Sequence, residues 1–462
     1  MFRSALPPIH RLPPEVIAYI VRWVLGDGDV DGRSIVPLTH VCRYWRDSIV
    51  STPENWALIY DERIKLAKLS LERAKATPLT IHLNLGALKR RREFLELLLP
   101  HLQNAVSLTC VDCFDVGELV QLLGFPKSTP GLRTLSLTRP KYANHSQSTD
   151  PLDFSAHTTL RDLSLCNIPL LPSILSLRNL TKFSLFDHHF RLHIDILSNF
   201  LEENRSLESA SLTVKFAKSS LCHPQRPTSV GNKLQYLLIS SDDTRDIRAL
   251  ISSIILRRGG ALEIHQSGTN ADPTGIFSGV PLTHFPNLSS PLVMEYVPYP
   301  RSIRLLGPDG SFLFKGPANN VSPFGEFPLL PLANIRELRL KCCASWILRQ
   351  FRLSSFPSLQ LVTLAVDGCS KVSLLPPMLA DLASSPSLRT LAFLDCVITE
   401  DFMAQLTRTA SNRTNKTSTS LDRVVIVNSE GDFPATASIE QLRKHVSVVE
   451  VLEGRGFPKD LS

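Results

Sequence analysis

Three groups of side chains in this chain of 462 residues could hold a metal ion or carry redox chemistry. The first repeats the D-x-D-x-D-G start of a calcium-binding loop, with Asp27, Asp29, Asp31 and Gly32. The twelfth position of such a loop needs a bidentate glutamate, but here it is Leu38. Because coordination would be incomplete, the pattern favours a solvated acidic loop over a calcium site.

The second group is His188, His189 and His193, and the third is Cys110 with Cys113. Imidazoles at i and i+4 share a metal only within a helix, and no glutamate accompanies them as in H-E-x-x-H. This favours exposed loop histidines. The cysteine pair would be half a zinc site or a redox pair, but no second C-x-x-C follows it. We therefore predict neither a metal nor a cofactor.

Enzymatic motifs are missing from the sequence. It contains no G-x-x-x-x-G-K-[ST], no G-x-G-x-x-G and no G-x-S-x-G, the patterns of phosphate-binding loops and hydrolase nucleophiles. We predict that the chain is not an enzyme. An enzyme with its site beside the histidine group stays as a weaker alternative.

The composition is that of a globular protein, with 43% hydrophobic and 20% charged residues. The net charge of +7 is spread along the chain, which argues against a nucleic-acid partner. No apolar run reaches the ~18 residues of a membrane span, and the nine cysteines fit free thiols. We predict a cytoplasmic or nuclear protein with no membrane partner. The basic run Lys89–Arg92 is either an import signal or a solvated helix face.

Elements that could position functional side chains come from a repeat of about 27 residues. Its frame is apolar, two residues, apolar, one residue, apolar. The frame occurs as LRTLSL, LRDLSL, LTKFSL, LESASL and LQYLLI, and again as IRELRL, LVTLAV, LRTLAF and LDRVVI. This spacing is typical of leucine-rich repeats, in which each short strand turns one face inward and stacked units form a curved parallel sheet.

The segments between these strands predict helices that cover the other side of the sheet: HIDILSNFLEENRSL, TRDIRALISSIILRRGG, LPPMLADLASSPSL and TEDFMAQLTRTA. Residues 266–330 interrupt the frame, and their clearest signal is a hairpin, SIRLLGPDGSFLF, turning at Pro308, Asp309 and Gly310. After the strands, Cys113, Cys343, Cys369 and Cys396 occupy the small-residue position of the repeat, so a structural role is favoured for them.

The first sixty residues differ from the repeats. Pro13 and Pro14 suit a helix start, and the helix is predicted to run to about Leu25. Its apolar residues Val16, Ile17, Ile20, Trp23 and Val24 are predicted to form one broad face. A short apolar stretch over 34–38 and a third helix follow, and in the latter we predict that Val41, Trp45 and Ile49 form a buried stripe. Three helices in so few residues carry more apolar surface than so small a bundle can bury, which predicts that part of this surface binds a partner.

This region resembles the F-box family. The resemblance rests on LPPEVI (residues 12–17), VCRYWR (residues 41–46), which is similar to the family's V-C-x-x-W-R core, and the following PENW (residues 53–56). It covers about a tenth of the chain. The repeats that follow resemble those of F-box proteins with leucine-rich repeats, although GDGDVDGRS separates the first two helices more widely than is usual.

The resemblance implies that the helices bind a Skp-type adaptor, and through it a cullin–RING ubiquitin ligase, while the repeats bind a protein target. The adaptor-contacting residues that it implies are Leu12, Pro13, Val16, Ile17, Ile20, Leu38, Val41, Cys42 and Trp45. Trp45 either meets the adaptor or supports the residues that do.

The target would bind the solvent-facing residues of the strands, which alternate with the inward leucines. The candidates are Arg133, Thr134, Ser136, Glu337, Arg339, Lys341, Thr363 and Asp367. The alternative is a repeat scaffold that binds proteins without ubiquitination.

The sequence thus predicts an α/β protein with a three-helix F-box module over residues 1–60 and a helical connector over 61–77. An irregular leucine-rich-repeat solenoid with a curved parallel sheet would occupy residues 78–462.

Overall fold

A computed structural model describes most of the chain. The described residues are 12–26, 35–60, 64–84, 86, 91–112, 129–140, 158–168, 177–192, 194–216, 233–267, 276–277, 280, 282–298, 301–316, 332–341, 353–365, 385–394, 398–417, 419–428 and 434–453. They confirm a mixed α/β protein with a large sheet whose strands are mostly parallel. The chain divides into two compact units, Met1–Leu207 and Glu208–Ser462.

In the first unit, short helices precede a parallel sheet in which β1 to β6 pair in chain order. Its helices are α1 (Pro14–Gly26), α2 (Ile35–Thr39), α3 (Arg43–Ser51), α4 (Ile64–Ala74), α5 (Arg91–Leu98) and α6 (Ile194–Glu203). Its strands are β1 (Leu58–Tyr60), β2 (Leu79–Asn84), β3 (Ala105–Val111), β4 (Thr134–Thr138), β5 (Asp162–Cys166) and β6 (Lys182–Leu192).

In the second unit the strand order is β7-β8-β9-β12-β11-β10-β13-β14-β15-β16-β17. The helices are α7 (Thr244–Ser252), α8 (Glu400–Thr417) and α9 (Thr436–Arg443). The strands are β7 (Ser209–Phe216), β8 (Tyr236–Ser241), β9 (Ala261–Gln266), β10 (Val293–Pro298), β11 (Arg301–Gly307), β12 (Gly310–Lys315), β13 (Glu337–Lys341), β14 (Leu361–Ala365), β15 (Thr390–Leu394), β16 (Leu421–Asn428) and β17 (Val446–Glu453).

The strands predicted from the repeating frame are confirmed. Each of the nine frames falls on a strand, and its central residue is buried, as with Leu135, Leu163 and Phe183. These three residues are Cα partners in consecutive parallel pairs, so equivalent leucines stack across the sheet. Their burial follows from the period of two along a strand, which sends alternate side chains to one face.

One frame needs a correction. The prediction placed Leu364 at the centre of the frame in β14, but the Cα partner of Leu338 and Leu391 is Val362. The frame that matches its neighbours is therefore LQLVTL, which begins at Leu359. A shift of two residues keeps the same side chains inward, so Leu364 stays buried.

The predicted helical connector over 61–77 contains helix α4. Helix α4 links β1 to β2, and these two strands pair in parallel from Leu58 with Thr80. Parallel neighbours need a crossover connection, and α4 provides it. The β1 strand starts within the predicted helical module, so module and sheet overlap at residues 58–60.

The interruption of the frame contains an inserted three-stranded meander. The predicted hairpin is confirmed, since β11 and β12 pair antiparallel and Gly307 faces Gly310. Strand β10 adds to the other side of β11, and the outer strands then pair in parallel with β9 and β13. The meander therefore continues the sheet across the segment where the repeat cannot be read.

The helices α1, α2 and α3 occur near their predicted positions, but two predicted faces are wrong. Val41 lies before α3, whose N-cap is Cys42, and it is 50% exposed rather than part of a buried stripe. Among the described side chains of α1, Ile17, Ala18 and Val21 are buried, whereas Trp23 is exposed. Because α1 carries apolar residues around most of its circumference, the sequence pattern did not distinguish its inner face.

Candidate protein-interaction surfaces

The N-terminal helices are joined by hydrogen bonds between their ends. Tyr44 Oη donates to the carbonyl oxygen of Leu12 at 2.6 Å, which ties α3 to the start of α1. Arg46 Nε donates to the carbonyl of Thr39 at 3.1 Å, which ties α3 to the end of α2. These contacts hold the three short helices in one arrangement, although each alone would be marginal in water.

Two tryptophans form the interior of this module. Trp56 is 2% exposed, and its Nε1 donates to the carbonyl of Ile49 at 2.9 Å. The guanidinium of Arg73 lies 4.3 Å from the centre of its ring, within cation–π range. Trp45 is 6% exposed, and its Nε1 has no hydrogen-bond partner among the described residues. Trp45 therefore packs inside the module and exposes little area to a binding partner.

Among the described residues of the module, five large apolar side chains are exposed to solvent. We call them the helical apolar patch: Val16, Tyr19, Trp23, Val36 and Val41. Tyr19 and Trp23 are 70% and 64% exposed. The first three lie at i, i+3 and i+7 of α1 and so share one helix face. Exposed aromatic and aliphatic side chains of this size are typical of protein-binding surfaces.

The residues implied as adaptor contacts differ widely in exposure. Pro13, Val16 and Val41 are exposed, Ile17 and Trp45 are buried, and the half-buried members are Leu12, Ile20, Leu38 and Cys42. Tyr19 and Val36 belong to the exposed surface but were not predicted. For Tyr19 the signal was the i, i+3, i+7 spacing of Val16, Tyr19 and Trp23 opposite Ile17 and Val21, which identifies a second apolar face on α1. No comparable spacing identified Val36 of α2.

In the first unit the outward face of the sheet is lined by hydroxyl groups. Ser136 is the Cα partner of both Thr109 and Ser164, and Ser184 continues the same row. Of the predicted target-binding residues here, Arg133 is exposed, and Thr134 and Ser136 are half-buried. This part of the face is polar and carries short side chains.

In the second unit the outward face carries ion pairs. Arg339 Nε donates to Glu337 Oε1 at 2.6 Å, and Lys341 Nζ donates to Glu295 Oε1 at 2.8 Å. The predicted residues Glu337, Arg339 and Lys341 are thus brought together on β13, all half-buried. Sequence reasoning missed Glu295, because its strand lies in the meander where no register was predicted.

A second polar group of the same face centres on Glu263 of β9. Its carboxylate accepts hydrogen bonds from Tyr236 Oη and Lys315 Nζ, both at 2.8 Å, and lies 2.5 Å from His265 Nε2. Burial alone would raise the pKa of Glu263, but the hydrogen bonds from these three neighbours outweigh it and lower the pKa to about 2. Burial, together with the bond to Glu263, raises the pKa of Tyr236 to about 12.

The prediction that Thr363 faces solvent is wrong. Thr363 lies on the outward face of β14, but it is 2% exposed, and its Oγ1 has no hydrogen-bond partner among the described residues. The outward face of the following strands is itself apolar and buried, with Ala392, Leu394, Val425 and Val427 in one cluster. Alternation therefore predicted the correct face but not its exposure. Asp367 lies outside the described residues.

The motifs with possible metal chemistry are only partly described. His188 and His189 fall within β6, a strand rather than the predicted loop, while His193 and the 27–32 loop lie outside the described residues. Cys110 is a buried residue of β3, and the cysteines 113, 343, 369 and 396 lie outside the described part. Where side chains are described, no group of three His, Cys, Asp or Glu residues has a metal-binding arrangement.

A cavity beside the N-terminal helices is too small for a ligand. It has a volume of about 20 Å³, room for about one water molecule. Asn55 lines it, and the buried Oδ1 of this residue has no described hydrogen-bond partner. An ordered water would satisfy that oxygen, so we assign the cavity a structural role.

Comparison of the sequence with family models and with curated proteins did not identify a relative. No family model matches the sequence, and neither does any curated protein. Within the described part of the chain, every helix is too short or too polar to cross a bilayer.

Proposed function

We propose that this chain is the substrate-recognition subunit of a Skp–cullin–F-box ubiquitin ligase. In this proposal the N-terminal helices bind a Skp-type adaptor, and the outward face of the sheet binds the protein to be ubiquitinated. The chain positions its target and performs no chemistry itself.

The observation that carries the proposal is the helical apolar patch. A monomeric protein rarely leaves two aromatic side chains as exposed as Tyr19 and Trp23 in one helical turn, because their burial releases ~2 kcal/mol or more each. The patch coincides with the segment that resembles an F-box. The buried Trp45 and Trp56 form the core against which the small helices pack. A fixed arrangement of the helices supports an interface in which a few aromatic and aliphatic anchors carry most of the binding energy.

The test is co-precipitation of the full chain with a Skp adaptor and a cullin. The variant replaces the patch residues Val16, Trp23 and Val41 by serine and leaves the buried Trp45 intact, so that the module still folds. The control replaces Val448 and Leu452 of β17, which are also exposed, by serine. We expect the patch variant to recover at least ~10-fold less adaptor than the wild type, and the control to recover as much as the wild type.

Each result decides between functions. If wild-type protein recovers neither adaptor nor cullin, the proposal is wrong. Recovery of the adaptor without the cullin would favour a scaffold that is not coupled to ubiquitination. Circular dichroism of both variants checks that any loss of binding does not come from unfolding.

A further inference from the structure

Strands β9 to β13 carry a strip of charged side chains on their outward face. We call it the charged strip, and its members are Glu263, His265, Glu295, Arg304, Lys315, Glu337, Arg339 and Lys341. The register aligns them: Arg304 is the Cα partner of Glu295, which in turn is the partner of Arg339. Five adjacent strands span about 19 Å, which matches about six residues of an extended chain.

The acids and bases of the strip lie at different heights above the sheet. The carboxylate side chains of Glu263 and Glu295 are 15% and 16% exposed, whereas their partners Lys315 and Lys341 are 45% and 44% exposed. Each glutamate therefore lies against the sheet beneath a lysine. The charge presented to an approaching molecule is that of the ammonium groups.

Arg304 adds a further positive charge at the middle of the strip. It is exposed, and no described residue forms an ion pair with it. Four basic and three acidic residues leave a formal excess of one positive charge, but the exposed part of the strip is more positive than this sum because the acids are the less exposed members.

We propose that the charged strip binds an extended protein segment rich in carboxylates. Acidic side chains of such a segment would pair with Arg304, Lys315 and Lys341. A peptide can place its carboxylates opposite the bases and neutral side chains opposite the glutamates. A phosphate backbone carries a charge on every nucleotide and would also pass close to the three glutamates, which disfavours a nucleic acid. The role of the strip as the target-binding surface rests on the proposed function. Its binding of an acidic peptide can be measured without the adaptor.

The test measures fluorescence anisotropy of a labelled peptide of alternating Glu and Ser, about eight residues long, with the purified full chain. The strip variant carries Arg304→Gln, Lys315→Met and Lys341→Met, changes that remove charge and keep most of the apolar stem. The matched control removes the same charges from exposed helix positions of the first unit, as Arg92→Gln, Lys65→Met and Lys68→Met.

We expect the strip variant to bind the acidic peptide ~10-fold more weakly than the wild type, and the control to bind it with the affinity of the wild type. Added salt should lower the affinity of the wild type for the peptide. Equal loss in both variants would overturn the proposal, since net charge alone would then explain binding. No binding to the wild type, or equally strong binding of an oligothymidylate, would also overturn it. The strip variant should still recover the adaptor, which separates a failure of this inference from a failure of the proposed function.

Discussion

The half-buried carboxylate of Glu263 binds side chains from its own strand and from both neighbouring strands. It accepts hydrogen bonds from a lysine, a tyrosine and a histidine of three adjacent strands. In the unfolded chain the pKa of a glutamate is near 4.5, and in the folded chain the pKa of Glu263 is about 2. Since folding lowers this pKa, the ionised group stabilises the fold above pH 4.5, and the contribution disappears as the pH falls towards 2.

We therefore predict that Glu263→Gln lowers the free energy of unfolding near neutral pH, and that the difference from the wild type shrinks on acidification. Urea unfolding followed by circular dichroism between pH about 6 and about 3 measures this difference. The control is Glu96→Gln, at an exposed pair with Arg92, which should change stability by less than ~0.5 kcal/mol. A difference independent of pH would contradict the assignment.

At the scale of elements, α9 depends on a residue of α8 for its N-terminal cap. The N-cap residue Ala435 has no side-chain oxygen to offer the first turn. Glu400 instead fixes the start of α9 by accepting hydrogen bonds from the Ala435 N–H, at 2.8 Å, and from Ser438 Oγ. These bonds lower the pKa of Glu400, the one to Ser438 most strongly. The carboxylate also suits the positive end of the helix dipole.

We predict that Glu400→Gln loosens the first turn of α9 by removing the charge that its N-terminus binds. Hydrogen exchange of residues 434–443 should become several-fold faster, while β15 and β16 keep their protection. Glu440→Gln, an exposed change within the same helix, is the control and should leave exchange unaltered. Unchanged exchange in the Glu400 variant would show that α9 does not need this cap.

The elements also show which parts of the fold and of the candidate site local sequence determines. Alternating leucines predicted nine strands because the period of two is a property of the strand itself. They did not predict the register of β14, because LQLVTLAV fits the repeat frame in two positions that are two residues apart. Only the pairing with β13 and β15 shows that Val362 is the central residue. Similarly, residue type does not predict that Trp23 is exposed and Trp45 is buried. What separates them is tertiary packing, which the sequence pattern does not contain.

Within the second unit, the meander of β10, β11 and β12 determines whether the sheet is continuous. It supplies the parallel partners of both β9 and β13, strands separated by about 70 residues in the chain. The turn carboxylate of Asp309 reinforces this junction, since it accepts hydrogen bonds from Ser290 Oγ at 2.6 Å and from Arg258 Nε at 2.5 Å. The sequence predicted the hairpin from its local turn, but the pairing with distant strands depends on the whole unit.

Gly307 is the position at which this arrangement is most easily broken. A Cβ atom there would lie 2.6 Å from the carbonyl oxygen of Ser290 and 3.2 Å from the Cα of Pro291, both backbone atoms that cannot move without shifting the chain before β10. We predict that Gly307→Ala lowers the free energy of unfolding by ~2 kcal/mol and speeds hydrogen exchange in β9, β10 and β13 together. The control is Gly131→Ala, where the nearest atom is 3.9 Å away and stability should change little. Faster exchange confined to the hairpin would show that β9 and β13 hold their positions without the meander, and unchanged stability would show that the backbone can make room.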